Sequence, residues 1–126
     1  MRRAVAHTLS RAAPHVVGDV NVVVIGDRTM RALNRRYRGM DASTDVLAFP
    51  LGNGIEKDEP FGDIVISRDT ARRQARDYGA SLGQEMTRLA VHGALHLCGH
   101  GHHERKAAAR MFGLTRRLLA ELSQRA

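Results

Sequence analysis

The twelve residues 92–103, HGALHLCGHGHH, contain five of the seven histidines of the chain. His92 and His96 are four positions apart, so both imidazoles lie on one face if this segment is helical. Two imidazoles with that spacing can bind the same Zn²⁺ ion, because each nitrogen approaches zinc to ~2.0–2.1 Å. The spacing therefore predicts a metal-binding helix.

The glycines that follow His96 suggest where a third ligand lies. Gly99 is a natural end for a helix, and Gly101 gives the chain freedom to turn back. His102 then completes the pattern H-x3-H-x2-G-x2-H. Three histidines with an open fourth position are typical of catalytic zinc, whereas a structural site is closed by four protein ligands. The alternative third ligands are His100 and His103, with Cys98 as a further candidate.

The same histidine spacing occurs in zinc proteases with the pattern H-E-x-x-H-x-x-G-x-x-H. In those enzymes a glutamate after the first histidine acts as the general base. Here that position is Gly93, which cannot accept a proton. The sequence therefore disfavours a protease of this type. We expect Gly93 to leave room for a substrate to approach between the ligands.

The composition predicts one domain over residues 1–126, because this length suits a single compact core. Hydrophobic residues make up 43% of the chain but aromatic residues only 4%, so the core is expected to be aliphatic. No apolar run approaches the ~20 residues of a membrane-spanning helix. The single cysteine, Cys98, cannot form an intramolecular disulfide and is interpreted as a small packing residue. We expect a reducing compartment, the cytoplasm.

The chain is basic, with 20 Lys and Arg residues against 13 Asp and Glu and a net charge of +7. Nearly all of the cations are arginines, which form bidentate pairs with phosphate. This favours a nucleic-acid partner. The alternative explanation is the codon bias of a GC-rich genome, and composition does not choose between the two.

Hydrophobic periodicity and capping residues predict a small mixed β-sheet covered by helices, an α+β fold. The predicted elements are an N-terminal helix, a strand over 20–27, a helix over 28–38, strands over 44–50 and 62–67, and helices over about 69–80, 81–97 and 104–123. Asp27 is expected to cap the second helix, and Ser81 with Gln84 forms a capping box for the metal-binding helix.

The predicted helices have apolar faces and arginine-bearing faces. The second helix is expected to bury Met30, Leu33 and Tyr37, and the helix over 69–80 to bury Ala71, Ala75 and Tyr78. Arginines on the other sides could follow an RNA backbone, although each group by itself is also typical of a solvated helix surface. These groups are Arg72, Arg73 and Arg76, and then Arg105, Lys106 and Arg110.

Three blocks of the sequence together resemble one family. HGALHLCGHGH (92–102) is similar to the signature H-G-x-L-H-L-x-G-[YH]-D-H of the YbeY-type endoribonucleases, the bacterial rRNA maturation factors. LNRRYRGMDASTDVLAFP (33–50) and FGDIVIS (61–67) resemble two further blocks of that family in the same order. Their combined extent makes the resemblance specific.

The resemblance implies a zincin-like metal helix and a metal-dependent endoribonuclease. It implies hydrolysis of single-stranded RNA in rRNA maturation, with 16S rRNA 3′-end processing, ribosome biogenesis and ribosome quality control as the setting. The implied ligands of one Zn²⁺ per chain, or of another divalent metal, are His92, His96 and His102. The implied partners are rRNA and the small ribosomal subunit, with ribosomal proteins or an assembly GTPase as further candidates and no membrane.

The resemblance also suggests roles for the arginines. It implies a catalytic arginine at Arg38, and the neighbouring Arg36 is expected to bind substrate. Substrate binding is also expected of Arg72, Arg73 and Arg76, from their charge alone. The family's usual Asp before the third histidine is Gly101 here, for which His103 or Glu104 could compensate. Asp45 and Asp63, beside short strands, are interpreted as structural.

Two other function classes remain open at this stage. The chain could be a non-catalytic ribosome-assembly factor in which zinc has a structural role. It could also be a hydrolase of another substrate. Metal-dependent cleavage of a defined RNA distinguishes the endoribonuclease from the first class, and a substrate panel that includes peptides addresses the second.

Overall fold

The computed structural model describes residues 1–99 and 120–121. Its elements are α1 (Arg2–Ala12), β1 (Val20–Ile25), α2 (Asp27–Arg38), β2 (Val46–Pro50), β3 (Gly62–Ser67), α3 (Arg68–Tyr78) and α4 (Leu82–Leu97). The elements predicted in this part of the chain are present, with bounds that differ by a few residues. The predicted helix over 104–123 lies outside the described residues, apart from the helical residues 120–121.

The three strands form one mixed sheet in the order β1-β3-β2. The central strand β3 pairs in parallel with β1 and antiparallel with β2. Its sequence GDIVIS is nearly continuously buried, as expected for a strand with a neighbour on each side and helices above and below. The predicted α+β class with a small mixed sheet is confirmed.

The two faces of the sheet are covered by different helices. Side chains alternate between faces along a strand. Ile64 and Ile66 of β3 pack in the larger core with residues of α1, α3 and α4, which are Val5, Ala71, Leu89, Ala90, Ala94 and Leu97. Val65 and Leu47 face the other way and pack against Met30 of α2. Helices α4 and α2 therefore lie on opposite sides of the sheet.

Helix α4 begins and ends where local signals predict. The Ser81 hydroxyl accepts a hydrogen bond from the Gln84 amide at 3.1 Å, and the Gln84 side chain accepts one from the Ser81 amide at 2.9 Å. This capping box satisfies two amides that the first helical turn leaves without partners. At the other end Gly99 adopts φ +92°, a backbone conformation that favours glycine.

The expected capping role of Asp27 is wrong. Gly26 is the N-cap residue of α2, and the Asp27 side chain makes no capping bond. Because Ile25 and Ser67 pair across the parallel strands, the start of α2 lies beside the end of β3. The Asp27 carboxylate therefore turns to hydroxyls of that neighbouring segment. Asp69 of α3 accepts the Asp27 amide hydrogen bond instead, at 2.9 Å.

The expected burial of Tyr37 and Tyr78 is also wrong, since their exposed fractions are 59% and 69%. Each lies in the last turn of its helix, where a partial contact leaves most of the ring exposed: Tyr37 meets Phe49 of β2, and Tyr78 lies beside Arg88 of α4. The buried positions of α2 and α3 lie earlier in each helix, at Met30 and at Ala71 and Ala75. Among the helices within residues 1–99 and 120–121, none is long and apolar enough to cross a membrane.

Candidate active site

Helix α4 brings two of the three predicted ligands together. The rings of His92 and His96 have centroids 5.1 Å apart and planes inclined by 68°. His92 is buried, with 7% of its surface exposed, and His96 is half-buried. The prediction that both imidazoles share one face of a helix is confirmed.

This pair fits a zinc-class ion. Two imidazoles bound tetrahedrally at ~2.0–2.1 Å have ring centroids about 5 Å apart, which agrees with the observed separation. Imidazole nitrogen is also a donor that suits zinc. The third predicted ligand, His102, lies outside the described residues, as do His100 and His103. Within the described part of the chain no group of three potential ligands is found, so the third ligand stays a prediction.

Gly93 does not face open space beside the ligands, and the expectation that it admits substrate is wrong. A Cβ atom at this position would lie 2.6 Å from Cγ2 of Ile64 and 3.3 Å from Cγ2 of Val46. The missing side chain thus faces the sheet, where it lets α4 approach β3 closely. Gly93 sets how closely α4 packs against the sheet, and its missing side chain leaves no room for a phosphodiester there.

Cys98 has the packing role predicted for it. The residue is half-buried and packs against the larger core at the end of α4. Burial raises the pKa of its thiol to about 11. In the absence of a metal ion the side chain is therefore a protonated thiol near neutral pH.

Arg38 is the last residue of α2, and its side chain is exposed. Helices α2 and α4 cover opposite faces of the sheet, yet both end near the same residue pairs of strands β2 and β3. The Tyr37 ring contacts Phe49, while Leu97 lies against Gly62, and Gly62 pairs with the residue after Phe49. No hydrogen bond or ion pair joins Arg38 to another residue in the described ranges. Its catalytic role stays a prediction.

Arg36 is exposed and lies over the ring of Tyr37, with the guanidinium carbon 5.7 Å from the ring centroid. The acidic residue of the following loop, Asp41, is held by two hydrogen bonds from Arg31 at 2.8 and 3.0 Å. This pairing lowers the pKa of Asp41. Arg31 therefore compensates the charge of Asp41.

The three predicted substrate-binding arginines of α3 differ in their surroundings. Arg73 is paired with Asp27 Oδ2 at 2.8 Å and also donates to Thr70 at 3.0 Å. Arg72 and Arg76 are exposed, one helical turn apart, and form no ion pair with any residue that the structure describes. Arg72 and Arg76 are thus available to a ligand, whereas Arg73 has a structural partner.

A hydrogen-bond cluster around Asp27 was not foreseen from the sequence. Its carboxylate accepts hydrogen bonds from three hydroxyls, at 2.9 Å from Ser43, 2.5 Å from Ser67 and 2.6 Å from Thr70. Burial acts to raise the pKa of Asp27, but these bonds and Arg73 outweigh it, so the pKa lies well below its usual range. The acceptor is therefore a charged carboxylate at all moderate pH values.

The loop between α2 and β2, residues 39–45, is tied down at three points. The side-chain amide of Asn34, a buried residue that the sequence left without a role, donates to the Ala42 carbonyl at 2.8 Å. Arg31 binds Asp41, and Ser43 donates to Asp27. A polar residue beside the apolar stripe of a helix is the available sequence signal, but it does not name the partner.

Asp45 and Asp63 have the structural roles predicted for them. Asp45 accepts hydrogen bonds from the Val46 amide at 2.8 Å and from Gln74 at 3.3 Å. Asp63 accepts one from Asn21 on the neighbouring strand at 3.1 Å. Both carboxylates therefore hold the ends of strands in place.

A buried ion pair lies two turns before His92 on α4. Glu85, with 2% of its surface exposed, binds Arg88 through two hydrogen bonds of 2.7 and 2.8 Å. The guanidinium of Arg88 lies 5.9 Å from the Tyr78 ring centroid. The pair joins neighbouring positions within α4, and its E-x-x-R spacing in the sequence was the only signal for it.

The sequence profile of a family described as Endoribonuclease YbeY matches residues 1–123. This chain belongs to the YbeY family. The match covers helix α4 with its two histidines, the α2 segment and strand β3 together. The family resemblance carried by the three sequence blocks is thereby confirmed.

Relatives named Endoribonuclease YbeY come from several bacteria. The relative from Myxococcus xanthus is 46% identical over 106 residues, covering 82% of this chain and 36% of the relative. The relative from Anaeromyxobacter sp. is 44% identical over 115 residues, covering 86% of this chain and 59% of the relative. The relative from Thermus thermophilus is 49% identical over 109 residues, covering 81% of this chain and 74% of the relative. The chain thus spans from about a third to three fifths of the length of the first two relatives.

The fold has a counterpart among solved structures. The solution structure of TM1509 from Thermotoga maritima aligns with a TM-score of 0.57 and 24% sequence identity. The alignment covers 98% of this chain and 84% of that protein. This likeness supports the α+β architecture of the YbeY family chain.

Proposed function

We propose that this chain is a metal-dependent endoribonuclease that cleaves single-stranded RNA during rRNA maturation. The observation that carries the proposal is the pair of imidazoles on α4, with ring centroids 5.1 Å apart on a helix packed against the sheet. The family membership supports the choice of RNA as substrate, and the net charge of +7 agrees with a polyanionic ligand.

The proposed metal centre holds one zinc-class ion between His92, His96 and His102. When bound, such an ion lowers the pKa of a coordinated water to ~7 and polarises a phosphoryl oxygen. This chemistry needs no carboxylate at the position after the first histidine, so Gly93 is compatible with hydrolysis. Other divalent metals remain compatible with the same donors.

The arginines supply binding and charge stabilisation in this proposal. Arg38 pairs with non-bridging phosphate oxygens as negative charge builds in the transition state. Arg36 holds a neighbouring phosphate. Arg72 and Arg76, both exposed on α3, contribute the salt-dependent attraction to the RNA backbone. Arg73, although predicted with them, mainly holds the Asp27 cluster.

The proposed setting is 16S rRNA 3′-end processing on or near the small ribosomal subunit. The α2 and α3 arginines would face rRNA, and a reducing cytoplasm agrees with the single cysteine of the chain. Ribosomal proteins or an assembly GTPase are further candidate partners.

The test is cleavage of a single-stranded RNA that carries the 16S rRNA 3′ region. Wild-type protein loaded with zinc should cleave it, chelation should stop the reaction, and added zinc should restore it. His92→Ala, matched in folding by circular dichroism, should be inactive. Hydrolysis of a casein-like peptide with no RNA cleavage under any divalent metal would instead favour a protease-like hydrolase. RNA binding without cleavage would favour a non-catalytic assembly factor.

A further inference from the structure

We infer that Tyr37 is a stacking platform for an unpaired RNA base. The flanking arginines at the end of α2 bind the adjacent phosphates. The inference rests on the proposed function and deepens it, because it identifies a binding position for the single-stranded substrate. The sequence predicted Tyr37 as a core residue, and its exposure is what the structure adds.

The Tyr37 ring is held in place and yet accessible. Its exposed fraction is 59%. It meets Phe49 of β2 in an edge-to-face arrangement, with centroids 5.1 Å apart and planes inclined by 67°. Such a contact fixes the orientation of an aromatic ring without covering both of its faces. The ring is therefore arranged in advance for stacking.

One cation lies over the ring, and two more belong to the same helical turn. The last turn of α2 contains Arg35, Arg36 and Arg38, and the Arg36 guanidinium carbon lies 5.7 Å from the Tyr37 ring centroid. Basic residues at a helix C-terminus also interact favourably with the helix dipole. That effect explains the charges but not an exposed aromatic ring between them. An aromatic ring flanked by arginines is the combination that binds single-stranded nucleic acid.

The site lies within reach of the proposed metal centre. Strand β2 is one of the two outer strands of the described sheet. On one face of the sheet, Phe49 of β2 contacts Tyr37. The next residue, Pro50, pairs with Gly62 of β3, and Gly62 packs against Leu97 on the opposite face. Leu97 follows His96 directly. An RNA strand that passes around the edge of β2 at Phe49 and Pro50 can therefore contact the C-terminal ends of both α2 and α4.

The occupant we favour is a single strand. Bases in an RNA duplex are stacked on one another, whereas unpaired bases can leave the stack and pack against aromatic side chains. Every base presents a flat face, so stacking tolerates different sequences. A stacking position beside phosphate-binding arginines therefore favours single-stranded over double-stranded RNA and does not discriminate between base sequences.

The chain contains no tryptophan, which provides a direct test. Tyr37→Trp introduces a single indole whose fluorescence is quenched when a base stacks on it. The zinc-loaded variant is mixed with single-stranded RNA in a stopped-flow instrument, so that binding is observed before cleavage. The matched control is Tyr78→Trp, because Tyr78 is 69% exposed and also lies beside an arginine. We expect quenching only in Tyr37→Trp, and only with single-stranded RNA.

Steady-state kinetics provide the second measurement. Tyr37→Ala should raise the KM for RNA by about 5- to 100-fold with little change in kcat, the range expected for loss of one stacked base. Tyr37→Phe should retain the wild-type KM, and Tyr78→Ala should not change it. A structural role for the ring would instead lower the urea midpoint of Tyr37→Ala and leave Tyr37→Trp unquenched.

The two proposals fail in different ways. Equal quenching of both tryptophan variants, quenching by duplex RNA, or no quenching of Tyr37→Trp would overturn the stacking inference even if the wild type cleaves RNA. Absence of RNA cleavage by the wild type would overturn the endoribonuclease proposal, while the fluorescence measurement would still decide whether Tyr37 binds a base.

Discussion

Gly93 of α4 lies directly against Ile64 of β3, so close that a Cβ atom at this glycine would be 2.6 Å from Ile64 Cγ2. Ile64 is fully buried in the central strand and cannot move aside easily. We therefore expect Gly93→Ala to lower the free energy of unfolding by about 1–3 kcal/mol, the usual cost of overpacking a core. Urea unfolding followed by circular dichroism measures it.

Gly83→Ala is the matched control for that substitution, because both glycines lie in α4. The nearest atom to a Cβ at Gly83 is Ser81 Oγ at 4.0 Å, so the new methyl group meets no obstacle. Alanine in a helix is favoured over glycine by roughly 0.5–1 kcal/mol, and this variant should be more stable than the wild type. Equal effects at the two positions would contradict the close packing of α4.

Metal content should distinguish the histidines. We expect about one zinc-class ion per chain in the wild type, and its loss in His92→Ala, His96→Ala and His102→Ala, since each removes a predicted ligand. His103→Ala should retain the ion, as should His15→Ala, an exposed histidine outside the motif. Elemental analysis after dialysis provides the measurement. Full retention in His102→Ala would transfer the third ligand to His100 or His103.

Arg38→Ala should slow RNA cleavage by ~10²–10³ and leave both metal content and urea stability unchanged. The expected cause is the loss of a cation that pairs with charge developing on the phosphate, and the residue makes no structural ion pair with the described residues. Single-turnover rates at saturating RNA measure this effect. An unchanged single-turnover rate together with weaker binding would make Arg38 a positioning residue.

Arg72 and Arg73 are adjacent but should differ in phenotype. Arg72→Ala removes an exposed cation, so RNA binding should weaken modestly and become less dependent on salt. Arg73→Ala removes the partner of Asp27 and should mainly lower stability. Binding titrations at several salt concentrations, paired with urea unfolding, separate the two. Equal salt slopes for both variants would argue against this division.

Asp27→Asn should make the free energy of unfolding less dependent on pH in the acid range. The folded-state pKa of Asp27 lies below the unfolded value of ~3.9, so the charged carboxylate contributes stability above about pH 4. That contribution is lost as the pH falls toward the folded-state pKa. At pH 7 the partly exposed site should lose about 1 kcal/mol in the variant.

Thermal unfolding between pH 2 and 7 measures the difference between Asp27→Asn and wild type, which should shrink as the pH decreases. Asp41→Asn is the control, because Asp41 forms only an exposed ion pair with Arg31. That variant should change stability little. A constant difference across this pH range would mean that the charge of Asp27 does not stabilise the fold.

Local patterns in the sequence were sufficient for the elements and for part of the site. The capping box at Ser81 and Gln84 located the start of α4, and Gly99 located its end. Within that helix, a spacing of four residues was enough to place His92 and His96 on one face. These features depend on residues at most a few positions apart, so backbone geometry alone determines them.

Tertiary structure decided what the remaining residues face. Whether Gly93 borders a substrate or the sheet depends on where β3 lies beneath α4, and the sequence contains no local signal for that contact. Asp27 was predicted as a helix cap from its position before the helix. Its actual partners, Ser67 and Thr70, could not be predicted because they are 40 and 43 residues away and reach it only through the parallel pairing of β1 and β3. Tyr37 fitted an apolar stripe, but its ring meets Phe49 of β2 only edge to face and stays 59% exposed. How much of a helix's apolar stripe is buried depends on which elements pack against it, and that is decided by the tertiary structure.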